Sequence, residues 1–279
     1  MRTLFRIIRR FRYFFATVTI LLMSLLIWSN VSIQVTSYLV SSDRLPDSFD
    51  GFRIVHISDL HDTEFGKNNK RLLEKIREAN PDIIAITGDS FDSCHSDISS
   101  TLSFFEEAMK IAQCYFVVGN NEGKFKRSEY NQYEEILTGY GVIVLHNKGV
   151  EIERDGEKIA VFGVDDPGYN DNFYKNLNKC KMGDNYTVLL SHRPEYYNTY
   201  VSRGFDLVLT GHAHGGQVRL PLIGGIFAPQ QGFFPKYVSG SHTTDITTMV
   251  VSRGLGHSSI PLRINNRPEL VIIELDTSK

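Results

Sequence analysis

FDLVLTGHAH, at residues 205–214, joins a short apolar run directly to two histidines that are two positions apart. The run is continuous rather than alternating, which is typical of a strand buried on both faces. Gly211 lets the backbone turn after this strand, and Ala213 is too small to obstruct a site beside it. The imidazoles of His212 and His214 can therefore point into one small volume, although this motif alone is a weak indication of metal binding.

Four other apolar runs end in the same manner, each in residue types that bind metals or catalyse reactions. They are residues 53–58 before Asp59 and His61, residues 82–87 before Asp89 and Asp92, residues 114–118 before Asn120 and Asn121, and residues 186–191 before His192. In open α/β sheets, functional sites lie beyond the carboxyl ends of the strands. The five runs together predict one pocket in which Asp, Asn and His side chains converge.

These motifs, in this order, resemble the calcineurin-like metallophosphoesterase family. The matching patterns are Asp59-x-His61, Gly88-Asp89-x-x-Asp92, Gly119-Asn120, His192 and Gly211-His212-x-His214. The stretches at residues 252–256 and 262–269 resemble the membrane-associated or exported bacterial branch of this family. The resemblance covers the chain from about residue 43 to its end. It implies an α/β fold in four layers, in which a two-sheet β-sandwich is flanked by helices. The strands predicted from the sequence agree with this fold.

The resemblance also implies a centre of two divalent metal ions. One ion would be held by Asp59, His61 and His214, the other by Asn120, His192 and His212, with Asp89 bridging the two and Asp92 orienting a ligand histidine. A mixed set of oxygen and imidazole ligands favours manganese, iron, zinc or cobalt. A hydroxide that bridges two such ions would attack phosphorus, so we expect hydrolysis of a phosphodiester or pyrophosphate bond.

Asn121 departs from the family pattern, in which a histidine at this position protonates the leaving group or holds the substrate phosphate. An asparagine side chain donates hydrogen bonds but supplies no proton near pH 7. Three hypotheses follow: the enzyme prefers good leaving groups, another residue such as His95 or His257 replaces the histidine, or catalysis is lost. In the last case the chain would be a binding or scaffold protein with a metallophosphoesterase fold.

The first 30 residues differ in composition from the rest of the chain. Five arginines between Arg2 and Arg12 precede an uncharged run from Tyr13 to Trp28, and the next charged residue is Asp43. This pattern predicts a single membrane anchor with the arginines in the cytoplasm and the catalytic domain on the extracytoplasmic side of the cell membrane. A cleaved signal peptide is the alternative. We expect an anchor at residues 1–30, a connector at 31–50 and the metallophosphoesterase domain at 51–279.

The rest of the chain alternates between helical and strand patterns. Helices are predicted at residues 68–79, 98–112, 130–138, 172–179 and 195–202, and further strands at 142–146, 150–153, 158–164, 247–252 and 269–275. Asp155-Gly156 predicts a hairpin turn. The three cysteines form no close-spaced pair, which argues against a thiol metal site. With a net charge of −2 and scattered basic residues, no nucleic-acid partner is expected.

The substrate class depends on the anchor and on a loop rich in glycine and aromatic residues at 223–237. An anchored site beside exposed aromatic side chains would suit a lipid-linked phosphoester. If these aromatics instead cap the sheet edge, they indicate nothing about the substrate. The candidate contacts for a phosphate or head group are Arg193, Arg219, Arg253, His95 and His257.

Overall fold

The computed structural model describes residues 2–92, 97–170, 172–180, 184–257 and 262–277. Its helices are α1 Arg2–Val31, α2 Lys70–Ala79, α3 Ser99–Met109, α4 Arg127–Gly139, α5 Phe173–Leu177 and α6 Tyr197–Arg203. Short 3-10 helices lie at Asp47–Phe49, Lys67–Asn69, Glu122–Lys124, Pro194–Tyr196 and His214–Gly216. All five helices predicted after the N-terminal segment are present, with ends that differ by a few residues.

Two six-stranded sheets form the centre of the domain. The strands are β1 Gln34–Ser41, β2 Arg53–Ile57, β3 Ile83–Ile86, β4 Gln113–Phe116, β5 Ile143–Val144, β6 Lys148–Arg154, β7 Glu157–Gly163, β8 Tyr186–Leu190, β9 Leu207–Thr210, β10 Arg219–Leu220, β11 Gly224–Gly225, β12 Phe227–Ala228, β13 Gly232–Phe233, β14 Gly240–Thr243, β15 Thr248–Val251 and β16 Glu269–Asp276. The first sheet has the order β1-β16-β2-β3-β4-β5, and the second β14-β15-β9-β8-β7-β6. The pairs β10–β11 and β12–β13 are separate small hairpins.

The sheets face each other, and helices cover their outer faces. On β2, Ile54 packs in the core between the sheets, whereas Val55 and Ile57 pack in the core that includes α2, α3 and α4. On β9, Leu207 and Leu209 face the inter-sheet core, and Val208 faces the core that includes α5 and α6. Both strands are thus buried on two faces, which explains their continuous apolar sequences. The predicted four-layer α/β sandwich is confirmed.

The apolar spacing of α2 determines which face is buried, and the residue after the helix determines where it ends. Leu72, Leu73 and Ile76 are buried on one face of this helix, as the helical periodicity predicts. Asn80 follows the helix with a left-handed backbone (φ 48°), and its N–H donates to the Arg77 carbonyl. The helix therefore ends before Pro81, as expected from the sequence.

The connector predicted at residues 31–50 contributes a strand to the domain. Strand β1 pairs in parallel with β16 along its whole length, from Gln34 opposite Glu269 to Ser41 opposite Asp276. Its alternating pattern fits an edge strand with one buried face. The segment is therefore a sheet strand rather than a free stalk, and the exact boundary between connector and domain stays a prediction.

Candidate metal centre

The predicted ligands follow strands whose carboxyl ends lie at one edge of the two sheets. Strands β2, β3 and β4 run parallel in the first sheet, and β8 and β9 run parallel in the second. Five residues after these strands have left-handed backbone angles, with φ between 46° and 62°: Asp59, His61, Asp89, His212 and His214. For residues other than glycine this conformation costs about 1–3 kcal/mol each, and such strain clusters at functional sites. The backbone therefore turns sharply after β2, β3 and β9, where these five side chains lie.

Asp59, His61 and His214 form the first cluster of possible metal ligands. The Nε2 atom of His214 lies 3.2 Å from Asp59 Oδ1 and 3.3 Å from His61 Nε2. The His61 Nε2 to Asp59 Oδ1 distance is 4.0 Å, and all three side chains are buried. Their nitrogen and oxygen atoms lie within 4.8 Å of one another, which is compatible with shared coordination of one cation.

Asp89, His192 and His212 form the second cluster. His192 Nε2 lies 3.4 Å from Asp89 Oδ2 and 3.1 Å from His212 Nδ1. The Nδ1 atom of His192 lies 2.7 Å from the carbonyl oxygen of Thr87, and a proton there leaves Nε2 free for a metal. Asp89 Oδ2 is also 3.7 Å from His61 Nε2 of the first cluster. This oxygen therefore lies between the two clusters, where a bridging ligand is expected.

The amide oxygen of Asn120 provides a test of whether the site suits a cation. Asn120 Oδ1 is buried and has no hydrogen-bond partner among the residues that the structure describes. An unsatisfied buried acceptor costs about 1–3 kcal/mol, and a metal ion would remove this cost. The ion-pair partners of the buried carboxylates Asp59 and Asp89 in the described part of the chain are histidines. The donor set therefore fits hard or borderline divalent cations.

The protonation states of the second cluster are coupled. Burial opposes the charge on Asp89, but His192 and its neighbours hold the pKa of the Asp89 carboxyl well below its usual range. Burial alone would lower the pKa of His192, but Asp89 raises it to about 10. Burial and the charge of His192 lower the pKa of His212 to about 3. The ionised carboxylate attracts positive charge, which a divalent cation would supply in place of the His192 proton.

Glu122 fixes the two loops that carry Asp89 and Asn120. Its buried carboxylate accepts hydrogen bonds from the backbone N–H groups of Gly119 at 2.7 Å, Ser90 at 2.8 Å and Asp89 at 3.0 Å. Burial, and then the charge of Asp89, raises the pKa of Glu122 to about 7. Sequence analysis assigns no role to this residue, because its partners are backbone groups that become neighbours only in the fold.

Close approach of the strand ends requires glycine at position 211. A Cβ atom added to Gly211 would collide with the side chains of Ser58 and Asp59. The sequence pattern predicts that Gly211 lets the backbone turn, but in the structure the absence of a Cβ atom allows the β9 end to pass beside the β2 end. The two sheets can therefore place their ligands in one site.

A cavity of about 400 Å³ opens beside both clusters. Its lining comprises His61, Asp89, Asp92, Asn120, Asn121, Lys124, Arg193, His212, His214, Pro229, Gln230 and His257. Of the predicted substrate contacts, this lining includes Arg193 and His257. Asp92 also lines the cavity, and its backbone N–H donates to the Asp62 carboxylate at 2.7 Å. Its predicted role in orienting a ligand histidine stays a prediction.

Two further predicted contacts, Arg219 and Arg253, lie elsewhere. Arg253 pairs with the carboxylate of Glu269 at 2.9 Å, and Arg219 donates to the carbonyl oxygen of Gly215 at 2.9 Å. Neither arginine belongs to the part of the cavity lining that the structure describes. Both side chains instead hold neighbouring segments together, a role that their sequence positions do not reveal. His95 lies outside the described residues.

Arg193 is held beside the second cluster by a partner that sequence analysis missed. Its guanidinium binds both carboxylate oxygens of Asp166, one of them through Nη2 at 3.0 Å, and Nη1 lies 2.9 Å from His212 Nε2. Burial opposes the charge of Arg193, yet Asp166 raises its pKa. Gln230 Oε1 also lies 2.5 Å from His212 Nε2. The ring of His212 lies with its Nδ1 atom toward His192. Nε2 can accept from Arg193 or donate to Gln230 but not both, and donation to Gln230 leaves Nδ1 with the lone pair that a metal ion needs.

Asn121 contacts Asp89 through both its backbone and its side chain. The backbone N–H donates to Asp89 Oδ1 and the side-chain amide donates to Asp89 Oδ2, each at 2.7 Å. Lys124 Nζ donates to Asn121 Oδ1 at 2.6 Å and lines the same cavity. The position of the family histidine is thus occupied by an amide that an ammonium group orients. Lys124 lies three residues after Asn121, one turn of a 3-10 helix, and this spacing is the sequence feature that could have predicted their contact.

Comparisons with known proteins agree with this geometry. The family model for calcineurin-like phosphoesterases matches residues 52–216. The chain is 28% identical to the uncharacterised metallophosphoesterase YkuE of Bacillus subtilis over 252 residues, which cover 88% of this chain and 86% of YkuE. It is 28% identical to phosphodiesterase YaeI of Escherichia coli over 231 residues, which cover 80% of this chain and 82% of YaeI.

A vertebrate protein is similar over the same region. The transmembrane protein with metallophosphoesterase domain of Danio rerio is 30% identical over 257 residues. The alignment covers 87% of this chain but 57% of the fish protein. The similarity therefore extends beyond the residues of the family model into the N-terminal and C-terminal parts of the chain.

Proposed function

The chain belongs to the calcineurin-like phosphoesterase family, and we propose that it is a membrane-anchored, dinuclear metal-dependent hydrolase of phosphodiester or pyrophosphate bonds. The observation that carries this proposal is the pair of buried ligand clusters with Asp89 between them. Proteins of this family are hydrolases that act on phosphoesters, and one similar protein is named a phosphodiesterase.

The proposed ligand sets follow the two clusters. Asp59, His61 and His214 would hold one ion, Asn120, His192 and His212 would hold the other, and Asp89 would serve both sites. Manganese, iron, zinc and cobalt all suit these ligands. Two such ions would activate water and neutralise the charge that develops at phosphorus. The protein itself contributes fixed ligand positions, through the Glu122 carboxylate and the Arg193 contact with His212.

Polar side chains around the cavity are proposed to bind the substrate phosphate. The Lys124 ammonium brings positive charge to the cavity, and the Arg193 guanidinium, whose charge Asp166 compensates, also lines it. Both groups can donate hydrogen bonds to a substrate phosphate. The Asn121 amide donates a hydrogen bond but no proton. We therefore propose that the enzyme acts best on substrates whose leaving group needs no proton. If a proton is supplied, His257 is the candidate donor, because it is the histidine of the described cavity lining that is not a proposed metal ligand.

We propose that the substrate is a lipid-linked phosphoester, because the domain is attached to a helix that could cross a membrane. Helix α1 contains a segment, Ile8–Val31, that is long and apolar enough to cross a membrane, and the fish relative is named a transmembrane protein. In the hairpin β12–β13, Phe227 and Phe233 are 42% and 74% exposed, and Phe234 is 69% exposed. Gln230, at the turn of the same hairpin, lines the metal cavity, so the hairpin connects these exposed aromatics with the site. We propose an extracytoplasmic domain that reaches substrates at the membrane surface.

Hydrolysis of bis-p-nitrophenyl phosphate tests this function. The full chain in non-ionic detergent should turn over this diester with added manganese, and a chelator should abolish turnover. Asp89→Asn should reduce kcat by at least about 100-fold because it removes the charge of the shared ligand. Asp245→Asn, at an exposed position, is the matched control and should retain activity. Absence of turnover with every metal, in folded protein, would contradict the proposal.

A non-catalytic binding protein is the second candidate, and Asn121 favours it. The two hydrogen bonds from Asn121 to Asp89 satisfy the shared carboxylate without a metal ion. Metal content separates the two candidates. Two metal ions per chain, measured by elemental analysis of the dialysed protein, support the hydrolase, whereas none supports the binding protein.

A further inference from the structure

The end of α1 is attached firmly to the domain. Ser29 Oγ and Asn30 Nδ2 donate to the carbonyl oxygen of Arg263 at 2.8 and 2.9 Å, and the Arg263 N–H donates to Asn30 Oδ1 at 2.8 Å. The guanidinium of Arg267 lies 4.4 Å from the centre of the Trp28 ring. These contacts fix the direction in which the apolar helix leaves the domain.

A second cavity, of about 560 Å³, lies between α1 and the domain. Its lining comprises Leu22, Met23, Leu25, Leu26, Trp28, Ser29, Arg219, Leu220, Pro221, Ile264 and Asn265. Residues 22 to 29 of a helix span about 10 Å along its axis. The domain residues that face them therefore extend alongside the helix, at the depth of its apolar segment, rather than above its end.

The domain surface next to this cavity is apolar and exposed. Leu220 and Ile264, which line the cavity, are 43% and 40% exposed. At the tip of the β10–β11 hairpin, Ile223 is 59% exposed and Leu222 is fully exposed with a left-handed backbone (φ 69°). A leucine in this strained conformation, projecting from the surface, is unfavourable in water. Clustered exposed apolar side chains indicate contact with a protein or a membrane, and their place beside an apolar helix indicates the membrane.

We propose that the cavity between α1 and the domain binds one acyl chain of a bilayer phospholipid, with the β10–β11 hairpin immersed in the same leaflet. This inference rests on the proposed anchoring of the chain by α1. Apolar side chains from both walls would contact the acyl chain. Arg219 lines the cavity and donates to the carbonyl oxygen of Gly215 at 2.9 Å, so it connects the lipid cavity with the segment that follows His214. Its positive charge suits the phosphate of the lipid head group.

Trp28 offers a direct probe, because it is the only tryptophan of the chain and lines the cavity. Phosphatidylcholine with dibrominated acyl chains quenches tryptophan fluorescence on contact. In titrations of the full chain in a mild non-ionic detergent, the quenching should saturate at about one lipid per protein. The double variant Leu26→Phe/Ile264→Phe fills the cavity and should weaken the apparent affinity by at least about tenfold, since it displaces several methylene contacts.

Leu21→Phe is the matched control, since Leu21 is 58% exposed on the same helix and does not line the cavity. It should quench as the wild type does. Quenching that rises without saturation, and equally in all three proteins, would show general contact with lipid and would overturn the proposal. Should the double variant unfold, Ile264→Phe alone provides the same comparison at a partly exposed position.

The same samples separate this inference from the proposed enzymatic function. Hydrolysis of bis-p-nitrophenyl phosphate, a substrate without acyl chains, should be equal in the wild type and the double variant. Saturable quenching without hydrolysis would support the lipid cavity and contradict the hydrolase. Hydrolysis without saturable quenching would support the hydrolase and overturn the lipid cavity.

Discussion

Asn121 Nδ2 donates a 2.7 Å hydrogen bond to Asp89 Oδ2, the oxygen that lies between the two histidine clusters. Relatives with the usual family motif would place an imidazole here, whereas this chain places an amide whose oxygen accepts from Lys124. Position 121 therefore touches both the shared ligand and the cavity, so that a proton donor at this position would also face a bound substrate.

Replacing Asn121 with histidine should accelerate hydrolysis of phosphodiesters with alkyl leaving groups. We expect kcat to rise by about 100-fold, because general acid catalysis contributes about 10²–10⁴. For bis-p-nitrophenyl phosphate, whose leaving group departs as an anion, the change should stay below about threefold. Asn121→Gln retains an amide and should show no gain on either substrate. Equal gains on both substrates would contradict the assignment of proton supply to this position.

Replacing Lys124 with glutamine should weaken substrate binding. The ammonium group lines the metal cavity, so its loss should raise KM for bis-p-nitrophenyl phosphate by about tenfold, equivalent to about 1.4 kcal/mol, with a smaller change in kcat. The KM of the wild type should also rise with salt more steeply than that of the variant. Lys126→Gln, at a side chain that is 83% exposed, is the matched control. An unchanged KM in Lys124→Gln would exclude this lysine from substrate binding.

The strand ends could be predicted from the sequence because the pattern that marks them, an apolar run followed by a polar residue, is local. A strand buried on both faces shows a continuous apolar run, as β9 does, and the polar residue that follows it is visible in the same ten residues. Asp59, Asp89 and His192 could be identified in this way. The strand β1 was harder to assign, because its partner β16 lies more than 200 residues later in the chain.

Residues that act through distant partners could not be predicted. Asp166 acquires its role only because folding brings it to Arg193, 27 positions away, and Glu122 acts on backbone groups that have no sequence signature. Arg253 was a reasonable candidate for a phosphate contact, but the buried Glu269 neutralises it. A single charged residue carries no sequence signal that distinguishes a buried ion pair from a substrate contact.

Replacing Gly211 with alanine should destabilise the domain. The added Cβ would collide with Ser58 and Asp59 side chains, and overpacking of this kind costs about 1–3 kcal/mol. Urea unfolding should show a lower midpoint with an unchanged slope. Gly139→Ala is the matched control, because a Cβ there meets no atom within 4 Å and the residue is helical. Its stability should be unchanged or higher by up to about 1 kcal/mol. Equal stability of both variants would contradict the close approach of β9 to β2.

His146 should make the stability of the domain depend on pH above neutrality. Burial alone would lower the pKa of His146, but hydrogen bonds from its ring to Asp165 and Glu134, at 2.8 and 2.9 Å, raise it to about 9. Because the folded pKa exceeds the unfolded value of about 6.5, the stabilisation is complete below pH 6.5 and is lost as the pH rises through 9. Partial exposure screens the pair, so we expect a loss on the order of 2 kcal/mol.

Urea unfolding at pH 6 and pH 9.5 measures this loss. His146→Gln cannot gain or lose a proton in this range, so the fall in stability should shrink by the His146 share, on the order of 2 kcal/mol, while the part due to His192 and Glu122, whose pKa values are also raised, remains. His242→Gln is the matched control, since burial lowers the pKa of His242 and its removal takes away no stabilisation that is lost as the pH rises through 9. It should keep the wild-type dependence. If the stability of His146→Gln still falls by the wild-type amount, the prediction is wrong. The contacts of His146 with Asp165 and Glu134 would then make no contribution that depends on the charge of His146.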